Sequence, residues 1–280
     1  MRNISTDEVI KNIREMCIEA NHFLSPDMKK VFEKAADEET SSLGRQILGQ
    51  LKENLEIAGS DMIPICQDTG MAVVFISVGQ EVHIEGGSLT EAINEGVRQG
   101  YVDGYLRKSV VKDPIERENT KDNTPAVIHY DIVPGDKIDI TIAPKGFGSE
   151  NMSRVFMLKP ADGIEGVKEA ILKAVKDAGP NACPPMVVGV GIGGTFEKCA
   201  LLAKKALTRD LDGERPSGYV RELEDEMLEK INSLGIGPGG LGGTKTALAV
   251  NVETYPTHIA GLPVAVNICC HVNRHVHRVI

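Results

Sequence analysis

The sequence has no tryptophan, and aromatic residues make up only 4% of its 280 positions. Aliphatic side chains must therefore build the core, and a 41% hydrophobic content is enough for one large domain or two small ones. Basic clusters are missing too. Thirty-one Lys and Arg stand against 40 Asp and Glu, a formal net charge of −9, which argues against nucleic acid or an anionic membrane as partner. No uncharged apolar run is long enough to span a bilayer. The opening stretch MRNISTDEVIKNI lacks the apolar segment of a secretory signal. A cytoplasmic location is expected. In that reducing compartment the cysteines at 17, 66, 183, 199, 269 and 270 are expected to bind metal or react rather than form a disulfide framework.

What is present reads first as helix. Ser5 and Glu8 form a capping-box pair, and Ile10, Ile13, Cys17 and Ala20 follow on one face. Pro26 opens a second helix with Val31, Phe32, Ala35 and Ala36 as its stripe. A third carries Leu43, Ile47, Leu48, Leu51 and Leu55, with Gly59 suited to its stop. From residue 71 the pattern turns to strand, beginning with MAVVFISV. Residues 126–143 read as a hairpin around Pro134-Gly135-Asp136. A helix ending at Gly179-Pro180, a strand MVVGVGIG, a helix over 196–207 and a helix around Leu223 and Met227 come next. Strands near 246–253 and at LPVAVNICC complete the order. The expected class is α+β, a mixed α/β architecture over a single domain 1–280, with residues 1–60 as a candidate helical subdomain and functional loops at strand ends.

Several motifs could carry chemistry. Gly189, Gly191 and Gly194 match G-x-G-x-x-G between a strand and a helix, as a nicotinamide site requires. The helix after them runs into the loop TRDLDGERPSG rather than a second strand, so tight strand-to-helix packing explains the glycines as well. A second cluster, GIGPGGLGGTKT at 235–246, fails the phosphate-loop spacing because Thr244 separates glycine from Lys245. Its backbone N–H groups could still hold a carboxylate or another anion. ICQDTG at 65–70 sets a thiol, an amide, a carboxylate and a hydroxyl side by side before a strand. In NACPPM the prolines stiffen the backbone beside Cys183. The run NICCHVNRHVH offers a zinc alternative, although adjacent cysteines are not a C-x-x-C pair. Taken together, three cysteine positions from distant parts of the chain suit an iron–sulfur cluster with one open iron, a Lewis acid fit for dehydration.

ICQDTG, GYLR at 104–107, DNTPA at 122–126, KGFGSEN at 145–151, ACPP, GGTKTA and THIAGLPVAV followed by Cys270 occur in one order along nearly the whole chain. In this the sequence resembles the class I, cluster-dependent fumarate hydratases, and more specifically the α subunit of the two-subunit form, an organisation shared by the tartrate dehydratases. The resemblance implies a 4Fe–4S cluster on Cys66, Cys183 and Cys270, the last chosen over Cys269 for its distance from His258. It also implies that Gln67 and Asp68 face the open iron and that Arg107 holds a substrate carboxylate. Backbone donors would come from Gly146 and Gly148, with Phe147 standing where a third glycine is expected. Asp68 and His258 become the acid–base candidates. The implied substrate is a small dicarboxylate, fumarate or malate, with tartrate as the alternative. The implied partners are a separate β subunit and a second α chain within a heterotetramer.

Overall fold

The computed structural model describes residues 1–211 and 213–280. In chain order its first elements are β1 (Arg2–Ser5), α1 (Thr6–His22), α2 (Pro26–Glu38), α3 (Ser42–Asp61), β2 (Met71–Gly79), β3 (Val82–Glu85) and α4 (Leu89–Asp103). Then come β4 (Val127–Val133), β5 (Ile138–Lys145), a short α5 (Phe147–Glu150), β6 (Arg154–Leu158), α6 (Gly163–Ala178), β7 (Met186–Gly193) and α7 (Phe196–Ala206). The series ends with α8 (Tyr219–Asn232), β8 (Ala247–Tyr255), β9 (Leu262–Cys269) and β10 (Val276–Val279). This is the α+β class expected from the order of elements. No helix among the described residues is long and apolar enough to cross a membrane.

The chain divides into two compact units, each drawn from separated stretches. Residues 1–25, 54–146 and 274–280 form one, and residues 26–53 and 147–273 the other. The first sixty residues therefore contribute to both, with α1 in the first unit and α2 in the second. The Ser5 half of the capping pair at the start of α1 forms, Glu8 N–H donating to Ser5 Oγ at 3.1 Å. Gly59 is not a stop: α3 runs through it to Asp61, and the left-handed residue that follows is Met62.

In the first unit a four-stranded sheet has the order β10-β5-β2-β4. The hairpin expected at 126–143 does not form. β4 runs parallel to β2, β5 antiparallel to it on the other side, and β2 lies between them. The physical reason lies in the side chains. MAVVFISV is apolar on both faces and suits a central strand, whereas VIHYDIV alternates polar groups and suits an edge. The Pro134–Asp136 turn bonds to the end of β2 instead: Gly79 N–H donates to Lys137 O, Gln80 N–H to Val133 O and Glu81 N–H to Gly135 O. Ala72, Val74, Ile76, Ile138, Ile140 and Ile142 make a core with Ile13, Met16 and Cys17 of α1 and Ile93, Val97 and Tyr101 of α4.

In the second unit the order is β6-β9-β7-β8, with β7 and β8 parallel and β9 antiparallel to β7. Every residue of β7 is buried. Val188, Val190 and Ile192 pack with residues of α6 and α8 in one core. The alternate glycines meet α7 on the other face. A Cβ on Gly189 would lie 2.1 Å from Ala203 O, and one on Gly191 2.0 Å from Cys199 O. These glycines are accounted for by strand–helix contact, the simpler of their two readings.

The glycine-rich loop 235–246 does hold an anion, and the anion is the chain's own. Glu39, 1% exposed, accepts from the backbone N–H groups of Ser41, Thr244 and Lys245 and from the Thr244 hydroxyl. The same loop supports the turn after Cys183, for Gly239 N–H donates to Pro184 O at 2.9 Å. Burial opposes the charge on Glu39, but these backbone donors outweigh it and hold the carboxyl below its ordinary 4.5. The clamp is therefore complete above that pH and is lost as pH falls through the lowered value. Glu39→Ala should cost about 3 kcal/mol of stability by leaving three backbone donors without their acceptor, read as a fall in urea midpoint. A loss below about 0.5 kcal/mol, the surface-substitution range, would mean that water replaces the carboxylate.

Candidate functional site

ICQDTG lies between α3 and β2 and is fastened by groups from several other segments of its unit. Thr69 is the central tie. Its hydroxyl donates to Arg107 O at 3.1 Å and accepts from Arg107 N–H at 2.9 Å. The GYLR segment is thereby stitched to the loop that carries Cys66, Gln67 and Asp68, while the Arg107 side chain stays exposed. Tyr101, fully buried, donates its hydroxyl to both Thr69 O and Gly70 O at 2.8 and 3.0 Å. Burial raises its phenol well above the ordinary range, so it remains a donor at any pH the fold tolerates.

DNTPA closes the same corner. Asn123, also fully buried, donates to Gly70 O at 3.1 Å and accepts from Ser109 N–H at 2.7 Å, in a left-handed conformation that asparagine tolerates better than most residues. Asp122 fixes the turn. Burial would raise its pKa, but hydrogen bonds from Thr124 and from the Arg98 guanidinium prevail and hold it at about 2.

The Asp68 carboxylate is fixed between two glycines. Oδ1 accepts from Gly70 N–H at 3.0 Å, and Oδ2 faces Gly146 closely enough that a Cβ there would lie 3.0 Å away. Gly146→Ala should therefore displace the Asp68 carboxylate with little loss of stability, lowering kcat by about tenfold while the melting temperature moves by only a few degrees. Unchanged kcat would separate Asp68 from the chemistry. One residue that the motifs did not single out completes this corner. Arg274, 4% exposed, donates through Nη2 to Asp68 O and through Nε to Pro144 O, and its buried Nη1 has no partner among the described residues. It was masked by the Cys/His run around it. Its only signal was an arginine set among residues otherwise read as thiol and imidazole ligands.

Cys183 and Cys270 come together in the second unit. Cys183 stands three residues before β7, Cys270 directly after β9, and the two strands are antiparallel, so both lie at one end of the sheet. His271 bridges them. Its backbone N–H and its Nδ1 lie 3.3 and 3.1 Å from Cys183 O. Cys183 is exposed and left-handed, with φ 52° and ψ 63°, a strained setting for a residue with a side chain. Cys269 is different: it is 5% exposed, lies inside β9 and is paired with Val187, whereas Cys270 is partly exposed beyond the strand. The strand that delivers Cys270 is anchored by the KGFGSEN segment and its neighbour. Glu150 accepts from Asn267 at 2.8 Å and pairs with Lys204, and Ser153 Oγ accepts from Ile268 N–H at 3.1 Å.

His258 lies elsewhere. It occupies the turn between β8 and β9, exposed, and that turn is tied to Gly194 after β7 by the Thr257 hydroxyl at 2.9 Å. The length of β7, eight residues or roughly 25 Å, separates this end of the sheet from the Cys183–Cys270 end. Gly148 falls in α5 and belongs to the second unit, whereas Gly146 belongs to the first. Cys17 and Cys199 are buried on helix faces, and burial raises both thiols, that of Cys17 to about 12. His277 bonds Asp139 within the β10–β5 pair.

Among the described residues no three His, Cys, Asp or Glu side chains gather into a single-ion site. Within the second unit the two accessible thiols of Cys183 and Cys270 share a sheet end on backbone held by specific hydrogen bonds, a soft donor pair of the kind that suits iron, and Cys66 sits partly exposed in a polar loop of the first unit.

Comparisons with known proteins give the family. A family model described as fumarate hydratase (Fumerase) matches residues 10–279. A Methanocaldococcus jannaschii protein, provisionally named an L(+)-tartrate dehydratase subunit alpha, is 42% identical over 275 residues, covering 96% of this chain and 95% of the relative. The L(+)-tartrate dehydratase subunit alpha of Escherichia coli K12 is 34% identical over 242 residues, covering 85% and 79%. With a family model matched from residue 10 to 279 and relatives aligned over most of both lengths, the chain belongs to the fumarate hydratase (Fumerase) family, as an alpha-type subunit of a hydro-lyase.

Proposed function

We propose that the chain is the α subunit of a 4Fe–4S-dependent hydro-lyase that hydrates fumarate reversibly to L-malate in the cytoplasm, working with a separate β subunit in a heterotetramer that contains two α chains. The observation that carries this reading is the Thr69 tie, which sets Arg107 beside the Gln67–Asp68 loop. A dicarboxylate site needs such a pairing of a carboxylate-binding fork with a proton-handling group.

Cys66, Cys183 and Cys270 are the proposed ligands of the cluster. When bound, it supplies a Lewis acid that eases departure of hydroxide. The residues do the rest. Arg107 binds one substrate carboxylate through its guanidinium, and the N–H groups of Gly146 and Gly148 supply further donors. Gln67 orients the bound acid. Asp68, held by Gly70 N–H at one oxygen, is set to take or return a proton at the other. His258, exposed in the turn between β8 and β9, is the second acid–base candidate.

L-Tartrate is the alternative substrate, since both relatives named above carry tartrate dehydratase in their names. The test is turnover by the chain co-expressed with its β subunit and reconstituted anaerobically with iron and sulfide. Faster conversion of malate and fumarate supports the first reading, and faster dehydration of L-tartrate to oxaloacetate the second. No turnover of either, by a complex with its full iron and sulfide, would sink both.

A further inference from the structure

The two edges of the second unit's sheet and the outer edge of β4 are treated differently. At β8 the backbone is covered by side chains: Glu224 accepts from Val252 N–H at 2.8 Å, and Asn232 accepts from Ala247 N–H at 2.9 Å. At β6 the exposed strand is five residues long. β4 is seven residues long, contains neither proline nor lysine, and pairs with β2 alone among the described residues. Its exposed apolar groups include Ile132, 70% exposed, Tyr130 and Val127. Edge strands of this length that expose apolar groups are normally blunted or covered.

The phase of the edge is defined. Val133 O accepts from Gln80 N–H, so the odd residues of this parallel strand bond toward β2, and Ile128, Tyr130 and Ile132 present their backbone groups outward. Of these groups, Ile132 N–H is covered by the side chain of Asp131, which accepts from it at 3.0 Å.

VIHYDIV also reads as its own complement. In an antiparallel pair centred on Tyr130, Val127 meets Val133, Ile128 meets Ile132 and His129 meets Asp131, on both sides of the two-fold. The imidazole and carboxylate fall opposite each other twice, and the apolar residues meet only apolar residues. RVFML in β6 has no such symmetry, since Arg154 would face Leu158.

We infer that β4 is the surface through which two copies of this chain pair, antiparallel about Tyr130, joining two four-stranded sheets into one. About six backbone hydrogen bonds form, through residues 128, 130 and 132 of each copy. This deepens the pairing of α chains proposed above by naming its surface, and it does not rest on the hydro-lyase chemistry.

Sedimentation equilibrium of the chain, alone and with its β subunit, tests it. His129→Asp sets carboxylate against carboxylate at both crossings and should weaken self-association about tenfold or more. The exchange His129→Asp with Asp131→His restores the complement and should restore the dimer. Ile132→Lys tests the other face of the strand and should also weaken pairing, with circular dichroism and melting confirming the fold. A wild-type chain with a single copy in both preparations, or a dimer indifferent to His129→Asp and Ile132→Lys, would overturn the proposal. Turnover measured on the same complexes keeps the readings apart, since pairing can fail with activity intact and activity can fail with pairing intact.

Discussion

Cys183→Ser and Cys270→Ser, each purified and reconstituted anaerobically with the β subunit, should lose bound iron and sulfide together with activity, and Cys269→Ser should keep all three. The adjacent cysteines differ in setting rather than chemistry. Cys269 is a strand residue, and by strand alternation it shares the face of Asn267 and Ala265, the latter packed with Cys199 and Ala203 of α7. Its replacement should disturb packing and little else. Cys270 stands just past the last paired residue, where backbone direction is set by the neighbouring bond from His271 to Cys183 O. Loss of an outer-shell partner typically costs 10–100-fold, and loss of a ligand thiolate should exceed about a hundredfold. If Cys269→Ser alone lost its iron, the third-ligand assignment would move by one residue and β9 would have to end earlier than it does.

Arg107→Ala should lower kcat/KM by about a hundredfold to a thousandfold, equivalent to roughly 3–4 kcal/mol, because a charge-assisted fork to a carboxylate is lost in ground and transition states alike. Arg107→Lys keeps the charge without the planar fork and should recover only part of this. The comparison variant is Thr69→Val. It leaves the guanidinium in place but removes the hydroxyl that bonds Arg107 N–H and O, so it should act on positioning and on stability together. Steady-state kinetics with urea melts separates the two. An Arg107→Ala enzyme with unchanged KM and kcat would place the substrate carboxylate elsewhere.

The sequence disclosed most where signals are local. The Ser5 cap of α1, the Gly179 stop of α6 and the apolar strands at 71 and 186 all depend on neighbours within a few residues, and all form. The pairing of 126–143 did not follow, because a proline-glycine turn says that the chain reverses and not that the strands it joins touch. β2, from fifty residues earlier, takes the place between them. The motif ICQDTG was legible as a loop before a strand, but what fixes it was not. Tyr101, Asn123 and Arg274 look ordinary in sequence and acquire their roles only by burial against Thr69, Gly70 and Asp68 carbonyls. The anion-holding capacity of 235–246 was legible too. Its occupant Glu39, about two hundred residues away, was not.

The two compact units have a consequence for how the polypeptide reaches its native state. The first needs residues 1–25, 54–146 and 274–280, and the second needs 26–53 and 147–273. Neither is a continuous stretch, and the boundary between 53 and 54 falls inside α3. No single cut can release either unit whole. During synthesis α1 is made long before β10, and Glu39 long before the N–H groups of Thr244 and Lys245 that it requires. Such distant closures carry a large entropic cost before any contact rewards them, which slows folding. The apolar face of α1 is closed by β2, α4 and β5 about halfway through synthesis, whereas α2 waits for β8, and that longer interval is when the emerging chain most needs protection from aggregation.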